Sequence, residues 1–116
     1  MEDGFLQQLK KGVLEMLVLE TICNGSTYGY ALLTSLKARS NDFFALKEGT
    51  LYPILYRLED SGMIQSSWSQ GEGRTAPKKM YSATEKGRLE RQRRWQVWER
   101  FSDTVNGFHQ EGDETQ

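Results

Sequence analysis

A mainly α fold with one small β-hairpin is predicted by three observations on this sequence. Four stretches carry apolar residues at helical spacing. One short alternating segment is followed by a return segment. A long aromatic-bearing helix then closes the chain, beyond what a small core needs. At 116 residues the chain has room for one small domain and an appended element.

The first helix is marked by Leu6, Leu9, Val13, Met16 and Leu17 at helical spacing. Its second half, Val13 to Leu19, is apolar almost all round, the pattern of a helix central to a core. Asn24-Gly25 stops it near Ile22. Ser26 or Thr27 is expected to cap a second helix running to about Ala38, with Leu32, Leu33 and Leu36 inward. Gly29 in its first turn lowers helix propensity by up to ~1 kcal/mol, which points to a close backbone approach there. Phe43, Phe44 and Leu46 are expected to anchor the following linker to the core.

The third helix spans Lys47 to Gly62. Thr50 is expected as its N-cap, which makes Pro53 the third helical residue and its missing N–H harmless. An earlier start near Lys47 would require a kink at Pro53. Leu51, Ile54, Leu55 and Leu58 share one face; Gly49, Thr50, Pro53, Tyr56 and Arg57 share the other, with Tyr52 at the border. An ordinary surface helix carries Lys and Glu on its outer face. This one carries small, aromatic and single-cation groups, which suit contact with a partner.

Met63–Ser69 alternates as a strand, with Ile64 and Trp68 on one side, and Lys78–Ala83 reads as its return. The Gly-rich, partly basic loop between them exceeds a tight hairpin turn and suggests a wing. Thr84 caps the last helix, with Glu85 in its first turn. The predicted order is α-α-α-β-β-α: a winged helix-turn-helix over residues 1–83, a long C-terminal dimerisation helix over 84–109, and a disordered acidic tail over 110–116.

Net charge is −1, but residues 102–116 hold Asp103, Glu111, Asp113 and Glu114 and no Lys or Arg. The rest of the chain keeps 15 basic against 12 acidic side chains, a net +3 that permits nucleic acid without identifying it. No stretch approaches the roughly 18–20 apolar residues that span a bilayer, so no membrane association is expected. Acids at Glu2 and Asp3, where a secretory signal has bases, point to the cytoplasm. Cys23, the one cysteine, reads as a small apolar residue at a helix end; a redox role lacks a basic neighbour in sequence. An enzyme is not expected. His109 is the single histidine, and no zinc ligand set, phosphate loop, nucleophile elbow or cofactor motif is present.

Three blocks resemble the PadR family of bacterial regulators: Thr27-Tyr28-Gly29-Tyr30-Ala31-Leu32, Glu48 through Gly62, and Lys78-Lys79-Met80-Tyr81-Ser82-Ala83-Thr84-Glu85-Lys86-Gly87. The middle block is the long and specific one, and its Thr50–Pro53 segment sets the chain apart from winged-helix regulators of the MarR type. Met80 stands where the family usually shows a tyrosine or similar ring, so no wing contact is carried over to it. The short length resembles the subgroup with one C-terminal helix. The resemblance implies a cytoplasmic dimeric repressor that binds a roughly palindromic operator in double-stranded DNA. It further implies release by a small planar aromatic ligand.

On that expectation the DNA-binding residues are Tyr28, Lys47, Gly49, Thr50, Pro53, Tyr56 and Arg57, with Arg74, Lys78 and Lys79 on the wing. Thr50 offers a hydroxyl and Gly49 a close backbone at a groove about 12 Å wide. Lys47 neutralises phosphate, Arg57 pairs with phosphate or guanine, and Tyr28 opens a helix whose N-terminus accepts anions. Trp95, Trp98, Phe101, Val105 and Phe108 form a seam on the last helix. Exposed on a monomer, that seam would be a large apolar patch, so a homodimer is expected, joined by Phe5, Leu6 and Leu9. A ligand between protomers, as the resemblance implies, would stack on Trp98 or, secondly, Trp95. The competing reading is a winged-helix module for protein contact that never meets DNA.

Overall fold

The computed structural model describes residues 3–71, 73 and 75–114, with side chains through residue 109. Its elements are α1 (Gly4–Cys23), β1 (Thr27–Tyr28), α2 (Gly29–Arg39), α3 (Glu48–Asp60), β2 (Ile64–Trp68), β3 (Lys79–Ala83) and α4 (Glu85–Glu114). The antiparallel sheet has the order β1-β3-β2. The mainly helical winged fold expected from the sequence is present, with one strand more.

Asp3 starts α1 by accepting from the Leu6 N–H at 2.9 Å. The apolar half of the helix becomes the axis of the core: Val18 and Leu19 are fully buried against Leu32, Leu51, Leu55, Leu58 and Ile64. Thr27 and Tyr28 do not begin the second helix. They pair with Tyr81 and Met80 as a sheet edge, and Tyr28 stands at the N-cap of α2 without a side-chain cap bond. In the linker, Phe44 and Leu46 pack on the core as expected, but Phe43 is half exposed and meets Phe44 edge-on at 5.1 Å.

The start of α3 also differs from expectation. Lys47 is the N-cap, its carbonyl accepting from Thr50 N and Leu51 N at 3.0 and 3.1 Å, and Pro53 lies inside the helix. Proline at that position deprives the Gly49 carbonyl of its i+4 donor. Gly49 is exposed, with open space where a Cβ would stand, so solvent can take the place of the missing donor. The inward face is as expected, with Leu51, Ile54, Leu55 and Leu58 all buried.

Along β2, Ile64 is buried whereas Trp68 is 69% exposed, although both lie on one side of the strand. Trp68 pairs with Lys79 near the hairpin's far end, past the reach of the core.

The seat of α4 lies directly behind the end of α3. Gly62, at φ +79°, closes α3 in the left-handed region that favours glycine. Thr84 Oγ1 donates to the Gly62 carbonyl at 2.6 Å and accepts from Gly87 N at 3.1 Å, while Lys86 Nζ donates to the Ser61 carbonyl at 2.6 Å. A Cβ on Gly87 would lie 1.9 Å from the Met63 carbonyl oxygen, so only glycine fits there. The helix continues to Glu114, through backbone the sequence assigns to a disordered tail; Thr115 and Gln116 fall outside the described residues. A 30-residue helix is about 45 Å long, which accounts for the 67 × 34 × 20 Å shape. Among the described residues no helix is long and apolar enough to cross a membrane.

Candidate nucleic-acid interface

The outward face of α3 exposes Gly49, Thr50, Tyr52, Pro53, Tyr56 and Arg57, with Lys47 exposed at its start. Tyr56 is 73% exposed, which leaves its hydroxyl and ring free to meet a partner surface. Tyr52, the border residue, has a structural role. Its hydroxyl lies 2.6 Å from where a Cβ on Gly29 would stand, so the missing side chain at Gly29 lets α3 close on the first turn of α2. This is the close approach that Gly29 signalled in the sequence.

Tyr28 and Lys78 come together. The Lys78 ammonium sits 4.2 Å from the Tyr28 ring centroid, joining the N-terminus of α2 to the base of the wing. Ser69 and Lys78 close the hairpin through Ser69 N to Lys78 O at 2.8 Å and Lys78 N to Ser69 Oγ at 3.1 Å. Lys79 is exposed one residue further, its ammonium 5.7 Å from the Tyr81 ring. Tyr81 is buried, and this burial, with the nearby Glu59 carboxylate, pushes its phenol above the usual range. Arg74, the remaining wing candidate, lies outside the described residues.

Arg57 has a partner that the sequence did not disclose. Its Nε and Nη2 both donate to Glu15 Oε2 of α1 at 3.3 Å. Also unforeseen is an open cleft of about 670 Å³ beside the start of α3, lined by Lys10, Lys11, Lys47 and Thr50 among others. The Lys10-Lys11 pair was its one signal, and it became legible only once α1 and α3 were placed side by side.

The aromatic face of α4 is exposed beyond its first three turns. Phe101, Val105 and Phe108 are 57, 52 and 76% exposed, and Trp98 is 37% exposed, 6.4 Å from Phe101 ring to ring. At the other end of the chain Phe5 and Leu9 are exposed and Leu6 is half-buried. Trp95 differs from the rest of the seam. It packs on its own chain, with Nε1 donating to Glu20 Oε1 at 2.6 Å, and the same oxygen accepts from Arg91 Nε at 2.8 Å. Burial pushes the Glu20 carboxyl up, but these hydrogen bonds outweigh it and hold it below the usual range. Trp95 also walls a cavity of about 260 Å³ with Leu17, Leu36, Arg39 and Phe44. Cys23 is half-buried, and burial raises its thiol despite Arg91 and Arg88 nearby, in keeping with a packing residue.

Comparison with known proteins gives this geometry a family. The model of the transcriptional regulator PadR-like family matches residues 18–93, more than half of the chain. The chain is 31% identical over 78 residues to the negative transcriptional regulator PadR of Bacillus subtilis, covering 67% of this chain and 42% of that protein. Among solved structures it is similar to a PadR family transcriptional regulator from Eggerthella lenta, at 33% identity and a TM-score of 0.79, covering 90% of this chain and 88% of that one. The fold is shared with a transcriptional regulator from Clostridium thermocellum, at 22% identity and a TM-score of 0.81, over 93% of this chain and 98% of the other. This chain belongs to the PadR-like family of transcriptional regulators.

Proposed function

We propose that this regulator is a cytoplasmic repressor that binds a roughly palindromic operator in double-stranded DNA as a homodimer. The observation that carries this reading is the outer face of α3. Gly49, Thr50, Pro53 and Tyr56 give it small and aromatic groups, Arg57 and Asp60 are its exposed charges towards the C-terminal end, and Lys47 and the Tyr28–Lys78 pair add cations and a helix N-terminus. Thr50 and Gly49 approach base edges. Lys47, Lys78, Lys79 and Tyr28 take phosphates, which fix register without reading sequence. Arg57 reaches phosphate or guanine from the last turn, and Arg74 is assigned to the wing on its charge alone.

Dimerisation rests on a separate feature, the exposed seam of Trp98, Phe101, Val105 and Phe108 together with Phe5 and Leu9. Two-fold pairing through α4 hides it and matches a site with two-fold symmetry. The test is a gel shift on the duplex upstream of the protein's own gene against a scrambled duplex, with the assembly weighed by sedimentation. Two chains per specific duplex is the expected result. A protein that retards neither duplex at about 50 mM salt belongs to the alternative class, a winged-helix module for protein contact.

A second part of the reading concerns a small planar aromatic effector that releases the DNA. Trp98 is favoured by its exposure in the seam, and Trp95 by the adjoining cavity, whose Arg39 suits an anionic substituent. Quenching of tryptophan fluorescence by planar aromatic acids tests it. Unchanged affinity in both Trp98→Ala and Trp95→Ala dimers overturns the aromatic-stacking role.

A further inference from the structure

We propose that Glu15 is a positioning residue that holds Arg57 back from DNA, and that Arg94 on α4 sets how firmly it does so. The inference rests on the proposed DNA-binding reading of α3. Glu15 stands on α1 between the two other helices, with one carboxylate oxygen turned to each. Oε2 accepts from Arg57 Nε and Nη2 at 3.3 Å, and Oε1 accepts from Arg94 Nη1 at 3.4 Å. Arg94 is in turn bonded through Nε to Glu90 Oε2 at 3.1 Å. A continuous chain of charges therefore runs from the DNA-facing helix, through α1, to the helix proposed to dimerise.

The geometry favours exchange over permanent pairing. Charge-assisted bonds are typically about 2.7–2.9 Å, so contacts of 3.3–3.4 Å are long and easily given up. Arg57 is 58% exposed, whereas Glu15 and Arg94 are 24 and 22% exposed, so the arginine is the partner with room to move. A DNA phosphate offers the same guanidinium a geometrically matched acceptor. Glu15 opposes that transfer twice, by competing for Arg57 and by repelling the phosphate. Arg94 shares the Glu15 charge and so weakens its hold on Arg57. A movement of α4 that withdraws Arg94 leaves Glu15 wholly to Arg57 and lowers affinity for DNA.

The prediction is a pattern of signs in the full-length protein, read by fluorescence anisotropy with a labelled duplex of roughly 30 base pairs and arbitrary sequence at about 50 mM salt. Glu15→Gln binds roughly two- to fivefold more tightly than wild type, and its salt slope steepens by about one counterion. A purely structural role for Glu15 predicts the opposite sign, weaker binding alongside a lower melting temperature. Arg94→Gln binds more weakly than wild type, and this loss disappears in the Glu15→Gln, Arg94→Gln double variant. If it persists there, Arg94 acts only through its general positive charge and the relay is overturned. Arg94→Lys, which retains a cation near Glu15, restores part of the affinity and guards against a folding defect. Wild type that binds while Glu15→Gln binds no more tightly overturns the inference alone; wild type that binds no duplex overturns the DNA reading and the inference with it.

Discussion

Trp95 Nε1 lies 2.6 Å from Glu20 Oε1, a hydrogen bond between residues 75 positions apart that ties α4 to the last turn of α1. Hydrogen bonds to charged groups contribute about 1.5–3 kcal/mol when well buried, and this one is partly exposed. Trp95→Phe keeps an aromatic ring but removes the donor and part of the indole's packing surface, leaving Glu20 to Arg91. Unfolding by urea at fixed protein concentration is expected to show a loss of about 1 kcal/mol.

Gly87 permits a closer approach than any other residue at the joint between α3 and α4. Gly87→Ala sets a methyl 1.9 Å from the Met63 carbonyl oxygen; that oxygen belongs to backbone and the methyl is fixed to the α4 backbone, so neither has much freedom to move. Overpacking of this kind costs about 1–3 kcal/mol, far more than the helix propensity gained. A melting temperature equal to wild type would contradict this packing.

Glu90 is held at about 2, against an ordinary value of 4.5, because hydrogen bonds from Arg93 first and Arg94 second outweigh its burial. A depressed carboxyl contributes stability that is complete above its unfolded value and is lost as pH falls towards the folded one. The difference in stability between wild type and Glu90→Gln should therefore be constant above about pH 4.5 and shrink between there and pH 2. Denaturant melts across that window measure it. Glu20, also lowered, responds in the same direction in both proteins and cancels in the comparison.

Lys78 stands over Tyr28 at the root of the wing. If it meets phosphate, Lys78→Gln weakens binding to operator and scrambled duplex by a similar factor and reduces the salt slope by about 1. A loss confined to the operator would reassign Lys78 to base reading.

Phe101 and Phe108 are among the most exposed large apolar residues of α4. Burial of a phenylalanine is worth roughly 1.5–3 kcal/mol, so Phe101→Ser together with Phe108→Ser should shift the protein to monomer at micromolar concentration. Sedimentation velocity reads the shift, and the monomer's helical circular dichroism should remain close to wild type up to the seam.

What was legible in the sequence was what periodicity encodes. The inward leucines of α3, the seam of α4 from Trp98 onward and the need for a small residue at Gly29 follow from spacing and side-chain size, and the structure places them accordingly, whereas Trp95, expected in the seam, turns to Glu20 of its own chain. The misses have a common cause, because they depend on residues far apart in the chain. β1 is two residues long and exists only by pairing with Met80 and Tyr81. The partners of Arg57 and Trp95 lie 42 and 75 positions away. Trp68 obeys the strand alternation, yet the core ends before reaching it. The start of α3 differs from expectation for a local reason: the missing N–H of Pro53 points to a later start, but at exposed Gly49 the chain tolerates the lost bond.

The joint formed by Ser61, Gly62, Met63, Thr84 and Gly87 acts as a protractor. It fastens α4 to the end of α3 by backbone contact and short bonds, so the angle between the two helices is fixed where they meet. Over a lever of about 45 Å, each degree of that angle displaces the far tip of α4 by about 0.8 Å. In a dimer paired along α4 the same angle governs the span between the two α3 helices, which must approximate one turn of DNA, about 34–36 Å. If the proposed two-fold binding holds, Gly87 at the pivot therefore bears on which spacing of half-sites can be accepted, although it lies on neither the outer face of α3 nor the aromatic seam.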